Sequence, residues 1–457
     1  MLSPKRPEKP RAGAPTEWVE ATRARIDGLT DRTPEWLSSL REQGIEHFTA
    51  SGFPTRRDEE WRYTNVKPIV EGPFRTPLPE ATATVDVAPF TCDALSGPRM
   101  VFVDGIFRDD LSDLSSLPDG VTVERMTDAV ARNAPGLEES LSRHPEGSHP
   151  FHALNTACFA DGAYVHAAPK ARGEAPIHVL CIGGVGGAGA SHLRHFFHVE
   201  PDARIAVVEE YRSPADSGGK TETLTNAVTD VFVARRGHLD RVKIAQEDHT
   251  AHHIAYLSVL QESDSVFHDT FFAVGGGTTR NEIEALLDGE EVECTINGLY
   301  HLDGARQVDN HTLLRHAKPN CRSWEMYRGV LDGKSRGIFT GKIHVYEDAQ
   351  KTDAKQNSNS LLLSRDAEAD TRPRLEIHAD DVRCTHGATV GELDESAMFY
   401  LRSRGISEID ARHMLVHAFA GEVLDPIEDD ALRAELATRL ATSLARARAA
   451  HADPTGA

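Results

Sequence analysis

From about Val165 to Val390 the sequence is a succession of short alternating runs of four to eight residues, split by turns containing Gly, Asp or Asn. Ile177–Ile182, Arg204–Val208, Val228–Val233, Ile254–Leu260, Phe267–Val274, Val292–Ile296, Ile338–Tyr346 and Leu375–Ile377 are examples, many of them rich in Val, Ile and Phe. Such residues favour a pleated, half-buried surface. Almost no stretch between the runs is long enough for the crossover helix of a doubly wound sheet. A sandwich, a barrel and a β-helix all fit short alternating strands. An extent of more than two hundred residues without a helical interruption favours a solenoid that grows one rung at a time. No fixed sequence period is visible in it.

The flanks read differently. Between Glu17 and Ser51, Trp36, Leu37, Leu40, Ile45 and Phe48 recur at helical spacing, with Pro34 near a start. Met100–Val103 reads as a short strand closed by the Asp104-Gly105 turn, and Val121–Arg143 as helix. After Ser396 the helical period returns: Met414, Leu415, Phe419 and Val423 make one stripe, and Leu432, Leu436, Leu440 and Leu444 a second. These stripes suit packing on the body or docking to a partner. The expected organisation is a disordered Pro-, Lys- and Arg-rich tail over 1–15, a mainly helical domain over 16–164, a β-helix over 165–395 and a helical domain over 396–457.

The net charge of −21 argues against nucleic acid, whose phosphates need a basic surface. No run of about 18 apolar residues is present, so no bilayer-spanning helix is expected. Cys92, Cys158, Cys181, Cys294, Cys321 and Cys384 are scattered, and none forms a CxxC pair. With no export signal, free thiols and a cytoplasmic setting are expected.

Several motifs invite a functional reading. Gly184-Val-Gly186-Gly-Ala-Gly189 matches GxGxxG, but His192–Val199 after it reads as strand, and pyrophosphate binding needs a helix N-terminus there. Gly333-Lys334-Ser335 resembles the end of a Walker A loop, but Arg328 stands where that loop needs glycine; Gly218-Gly219-Lys220-Thr221 fails likewise at Pro214. No nucleotide is therefore expected on this chain. His249, His252 and His253 lack the HExxH pattern and read as a surface group.

Leu375-Glu-Ile-His-Ala-Asp-Asp-Val-Arg-Cys384-Thr-His386-Gly387 carries more chemistry. Alternate strand residues share a face. Leu375, Ile377 and Ala379 form an apolar set; Glu376, His378, Asp380, Cys384 and His386 have the opposite parity. If the register survives the Asp380-Asp381 turn, Cys384 and His386 project together, away from the core. A thiolate beside an imidazole is a soft metal-binding pair. Two ligands are too few for a tetrahedral site or a [4Fe–4S] cluster, so nearby acids or a second polypeptide would complete the shell. A packed cysteine and a turn histidine remain an equal alternative on these residues.

A further set of motifs runs through the chain: Arg57-Asp-Glu-Glu-Trp61-Arg-Tyr63-Thr64, Asn297-Gly298-Leu299, Asp309-Asn310-His311-Thr312, Ser335-Arg336-Gly337, Gln356-Asn357-Ser358-Asn359-Ser360-Leu361-Leu362-Leu363-Ser364, Cys384-Thr385-His386-Gly387-Ala388-Thr389 and Phe399-Tyr400-Leu401-Arg402-Ser403-Arg404-Gly405-Ile406. In order and spacing these resemble the SufB/SufD family of iron–sulfur cluster assembly scaffolds over nearly the whole chain, the first looking like SufD rather than SufB. The resemblance implies a right-handed parallel β-helix between helical domains, a SufB-type partner met through the β-helices, and one copy of the ATPase SufC on each C-terminal domain. It implies a scaffold without catalysis of its own, with ATPase activity in the partner SufC. Met414, Leu415, Phe419 and Val423 become the expected docking stripe for that ATPase. The family's Cys-x-His at the SufB–SufD interface falls on Cys384 and His386, which implies a transient iron or iron–sulfur cluster shared with the partner. Leu401 stands where SufB typically carries a cluster-serving cysteine, and Thr385 and Gly387 where SufB has acids, so the chain fits the SufD role of support and iron entry. The alternatives are a SufB-like or homodimeric paralogue holding clusters itself, a homodimer of the isolated chain, and a β-helical polysaccharide-active enzyme, which low aromatic content disfavours.

Overall fold

Among the described residues the alternating runs form two sheets, one of ten strands and one of nine. The structure is a computed structural model that describes residues 13–29, 33–75, 85–91, 93–143, 149–173, 175–214 and 221–452. Residues 1–12 of the expected tail, Cys92 and Gly218–Lys220 lie outside these. From Ala163 onward successive strands alternate between the sheets, and each pairs in parallel with the strand two along. The chain is thus mainly β: a parallel β-solenoid with helices before and after it.

The coil repeats through its corners. Lys170, Asp202, Arg236, Asp264, Glu291, Asn320 and Lys351 all adopt left-handed backbone, φ between 57° and 67°. Their amides form a ladder from turn to turn. Lys170 donates to the Pro201 carbonyl, Asp202 to Arg235, Arg236 to Ser263, Asp264 to Glu290, Glu291 to Pro319, Asn320 to Gln350 and Lys351 to Asp381. Up to Asn320, each acceptor immediately precedes the next corner residue. Left-handed backbone costs a non-glycine residue roughly 1–2 kcal/mol, and the ladder gives each corner amide a carbonyl partner on the next turn.

Three apolar layers hold the body. Inward-facing residues of both sheets, among them Val179, Leu239, Phe267, Ile296, Leu314 and Ile343, fill the lumen. The outer face of the nine-stranded sheet, through Ala190, Leu224 and Ile254, is covered by helices Thr16–Leu29, Glu35–Ser51 and Pro150–Cys158. The outer face of the ten-stranded sheet presents Val208, Ile244, Phe272, Leu299, Val330 and Leu361 to helices Glu408–Leu424 and Asp430–Ala452. Leu432, Leu436, Leu440 and Leu444 are buried there, so that stripe packs on the body.

Two expectations are corrected. Val121–Arg143 is not one helix: Val121–Arg125 is a strand antiparallel to Ala163–Ala167, and only Met126–Ala131 and Leu137–Ser142 are helical. The helical spacing belongs to short segments broken at Asn133 and Gly136, both at positive φ. Arg99–Val103 is likewise the first parallel partner of Ile177–Ile182, so the sheets begin well before residue 165. No helix among the described residues is long and apolar enough to cross a membrane.

Candidate functional site

The last turn of the solenoid has no turn beyond it. Its strands, Glu368–Ile377 and Arg383–Gly391, are the terminal members of the two sheets. Cys384 is in register with Ala354 and His386 with Gln356, both buried in the lumen. Cys384 itself packs against the lumenal core. The pair therefore shares a face, but the inward one. Leu375 and Ala379 are inward, and so are Val382 and Cys384; the turn between Ala379 and Val382 shifts parity by one, which reverses the outward projection expected from an unbroken register. Inward at this position still means accessible, because among the described residues no further turn stacks on the lumen: Cys384 is half-buried and His386 exposed.

Burial pushes the Cys384 thiol up, which favours the protonated form over the metal-binding thiolate. Among the described residues no third His, Cys, Asp or Glu groups with the pair at metal-binding separation. Behind it runs a polar file that the sequence reading did not find. Gln356 Nε2 donates to Glu325 Oε2 at 2.6 Å, and burial raises the Glu325 carboxyl to about 7. Deeper in, Lys243 Nζ donates to Asn281 at 2.8 Å and Asn281 to Asn310 at 2.8 Å, while Arg241 bridges Glu209 at 2.8 Å and Asp269 at 2.6 Å. These polar residues sit at inward strand positions, where an alternating pattern reads them as the outward polar half.

Near the open end several large apolar side chains are exposed. Ile377 and Val390 are exposed on the terminal strands, and helix Glu395–Ser403 buries no residue and leaves Phe399 75% exposed and Tyr400 56%. This helix, too, was missed as a surface element; its adjacent aromatics with no packed face are the signal. Leu401 lies on it, half-buried.

The segment around Trp61 straps the N-terminal layer onto the later turns. Arg280 lies 3.9 Å over the Trp61 ring, Thr64 donates to Asp309, Glu60 pairs with His311 at 3.4 Å, and Glu59 accepts from Arg372 at 2.9 Å and from Arg374. These motif residues anchor rather than form a reaction centre.

The Met414 stripe divides. Val423 is fully buried against the ten-stranded sheet, and Phe419 packs on the same core with Arg328 5.5 Å above its ring. Both are engaged within the chain, because the stripe turns with the helix and its later residues meet the solenoid. Met414 stays 50% exposed and Leu415 is half-buried. Met414, with His413, His417, Ala418, Leu440, Ala441 and Leu444, lines an apolar groove of about 450 Å³ between the last two helices.

The decoy motifs resolve on contact. The Gly184, Val185 and Gly186 amides converge on the carboxylate of Asp104, at 2.7, 3.2 and 2.6 Å, and Gly189–Val199 after them is a strand. The histidines near 250 are not a surface group: His253 is fully buried and bonded to Glu247 at 2.7 Å, His252 packs on Phe74, and only His249 is exposed. Cys158, Cys181, Cys294, Cys321 and Cys384 are free thiols.

Comparison with known proteins adds the following. Residues 182–419 match the family model for the SufBD core domain of SUF-system FeS cluster assembly, and residues 16–179 that for the SufBD protein N-terminal region. The chain is 31% identical to iron–sulfur cluster assembly protein SufD of Escherichia coli, over 91% of this chain and 94% of that protein. It is 29% identical to an iron–sulfur cluster assembly SufBD family protein of Synechocystis, over 90% and 92%, and 26% identical to the chloroplastic protein ABCI7 of Arabidopsis thaliana, over 87% and 84%.

Proposed function

Because this chain belongs to the SufBD family and is a SufD-type scaffold of iron–sulfur cluster assembly, we propose that it works as one half of a two-scaffold complex whose cluster chemistry takes place at the open end of its solenoid. The observation that carries this reading is the conjunction there of two uncapped strands, an apolar rim at Ile377, Val390, Phe399 and Tyr400, and the Cys384/His386 pair. Terminal strands with free edges invite pairing with another chain, and an exposed apolar rim of this kind marks an interaction surface. A SufB-type partner fits this end and would add the ligands that two residues lack. Iron then enters as cargo: with the thiol held protonated, Cys384 and His386 alone bind it weakly, and a partner's donors tighten the site. The groove at Met414 and His417 suits the ATPase subunit, which would supply the energy this scaffold does not. A cytoplasmic setting suits the free thiols.

The test is co-expression of the full chain with a SufB-type scaffold and the ATPase. Val390→Asp and Phe399→Ala should abolish capture of the scaffold while leaving the melting temperature and ATPase capture unchanged. Cys384→Ala and His386→Ala should preserve the complex and lower its iron content. A complex that forms normally with Val390→Asp, or one in which the open end pairs only with a second copy of this chain, would overturn the assignment.

A further inference from the structure

We propose that His166, His198 and Glu200 form a binding site for a divalent transition metal of the Zn(II)/Fe(II) class, on the first turns of the solenoid and separate from its open end. His166 on strand Ala163–Ala167 and His198 on strand Gly189–Val199 are direct register partners. Their flanking residues Val165, Ala167, Phe197 and Val199 face the lumen, so both imidazoles project outward from neighbouring strands. Glu200 follows His198 by two and meets both rings. His166 Nε2 and His198 Nε2 each lie 3.5 Å from the same Glu200 Oε1, and the three donor atoms lie within 4.8 Å of one another. A tetrahedral ion with bonds of about 2.0–2.2 Å sets its donors roughly 3.3–3.6 Å apart. The separations fit that edge better than they fit hydrogen bonds.

The protonation of His198 fits as well. Its Nδ1 lies 3.2 Å from the Pro135 carbonyl, which also accepts from the Tyr164 hydroxyl at 3.0 Å. A carbonyl only accepts, so Nδ1 carries a proton and donates it there, which leaves Nε2, on the Glu200 side, as the nitrogen a metal would take, the arrangement that orients metal-binding histidines. The His198 side chain is 7% exposed, His166 16% and Glu200 27%, which leaves a solvent-side position for water as fourth ligand. Two imidazoles and one carboxylate suit Zn(II) and Fe(II).

The two other groups of three such donors found among the described residues lack these features. His238 and His268 sit at hydrogen-bonding distance from Asp240, 3.0 and 2.9 Å, with Arg204 also 3.6 Å from it. In the group His344, Glu376 and His378, the Lys342 ammonium already occupies Glu376 at 2.6 Å. Each holds a protein cation where a metal would go. Because Pro135 belongs to the segment joining helices Met126–Ala131 and Leu137–Ser142, an ion on His198 would tie the N-terminal layer to the first turns.

The full chain, stripped with chelator, would be dialysed against Zn(II) and, without oxygen, Fe(II), and titrated with Co(II) as an optical probe. The expected result is one equivalent bound, visible absorption of four-coordinate Co(II), and a higher melting temperature with Zn(II). His166→Gln and Glu200→Gln, both at partly exposed positions, should weaken binding at least tenfold and remove the thermal shift, with unchanged circular dichroism in the absence of metal. The double variant Cys384→Ala/His386→Ala should bind as the parent does. No stoichiometric binding by the parent, unchanged binding by both Gln variants, or loss of binding in the Cys384/His386 double variant would each overturn the proposal.

Discussion

At the scale of single residues, the lumen decides what the chain tolerates. Glu325 is fully buried, and burial lifts its carboxyl from 4.5 to about 7 despite hydrogen bonds from Thr312 and Gln356. A carboxyl that binds its proton more tightly when folded stabilises the fold at low pH. That contribution is complete below about 4.5 and declines as pH rises toward 7. Glu325→Gln, which keeps the shape and removes the charge, should therefore raise stability at pH 8 by on the order of 1–3 kcal/mol. At pH 5 it should change little. Denaturant melts at the two pH values read this directly, and a variant equally destabilised at both would show that the carboxylate is needed as an anion. Glu325 was invisible as a lumenal acid because an acid flanked by Trp324 and Met326 reads as the polar half of an alternating strand. Cys384 was legible as a candidate from its motif, but its inward face was not, since the parity change lies in a turn whose length in the coil no local pattern announces.

At the scale of elements, the strap around Trp61 joins residues far apart in sequence through charge. Burial and the neighbouring Arg280 press His311 down, but Asp309 and Glu282 outweigh them and hold the imidazolium up to about 9. The sign is the same as for Glu325, in a higher pH window. The folded-state affinity exceeds the ordinary value of 6.5, so the stabilisation is complete below about 6.5 and is lost as pH climbs through 9. Hydrogen exchange over residues 55–65 should accelerate between pH 8 and 10 in the parent. In His311→Gln the strap should be loose throughout and the steep part of that profile gone. A parent whose exchange shows only the ordinary base-catalysed slope would mean that the strap is held by Trp61 packing alone. The helices that the strap touches, and those at the C-terminus, were readable from their 3.6-residue apolar period. Val121–Arg125 was not, because five residues of strand run directly into a helix with no breaking residue between them.

At the scale of the whole molecule, the C-terminal helices cover the ten-stranded sheet with one face and leave an apolar groove at Met414 on another. Removing residues 396–457 would strip cover from Val208, Ile244, Phe272, Leu299 and Val330, so a truncation would not leave the body intact. A point change in the exposed groove avoids this. Met414→Asp should leave stability within about 0.5 kcal/mol, as is usual for exposed positions. It should abolish ATPase capture in pull-downs from the co-expressed complex; retention would move the docking surface elsewhere. What the sequence by itself determined is the class of the molecule: a long strand-rich centre between helical ends, no P-loop, and a motif set that points to one family. Those are matters of period and order, which a chain carries locally. Only the tertiary structure decided where the coil repeats, because its corners are built on Lys, Asp, Arg, Glu and Asn whose own amides, held left-handed, donate to carbonyls of the next turn, with no shared glycine to mark them. It also decided which face Cys384 and His386 occupy, which leucines are covered and which histidines meet, since burial and convergence are properties of stacked turns rather than of any one of them.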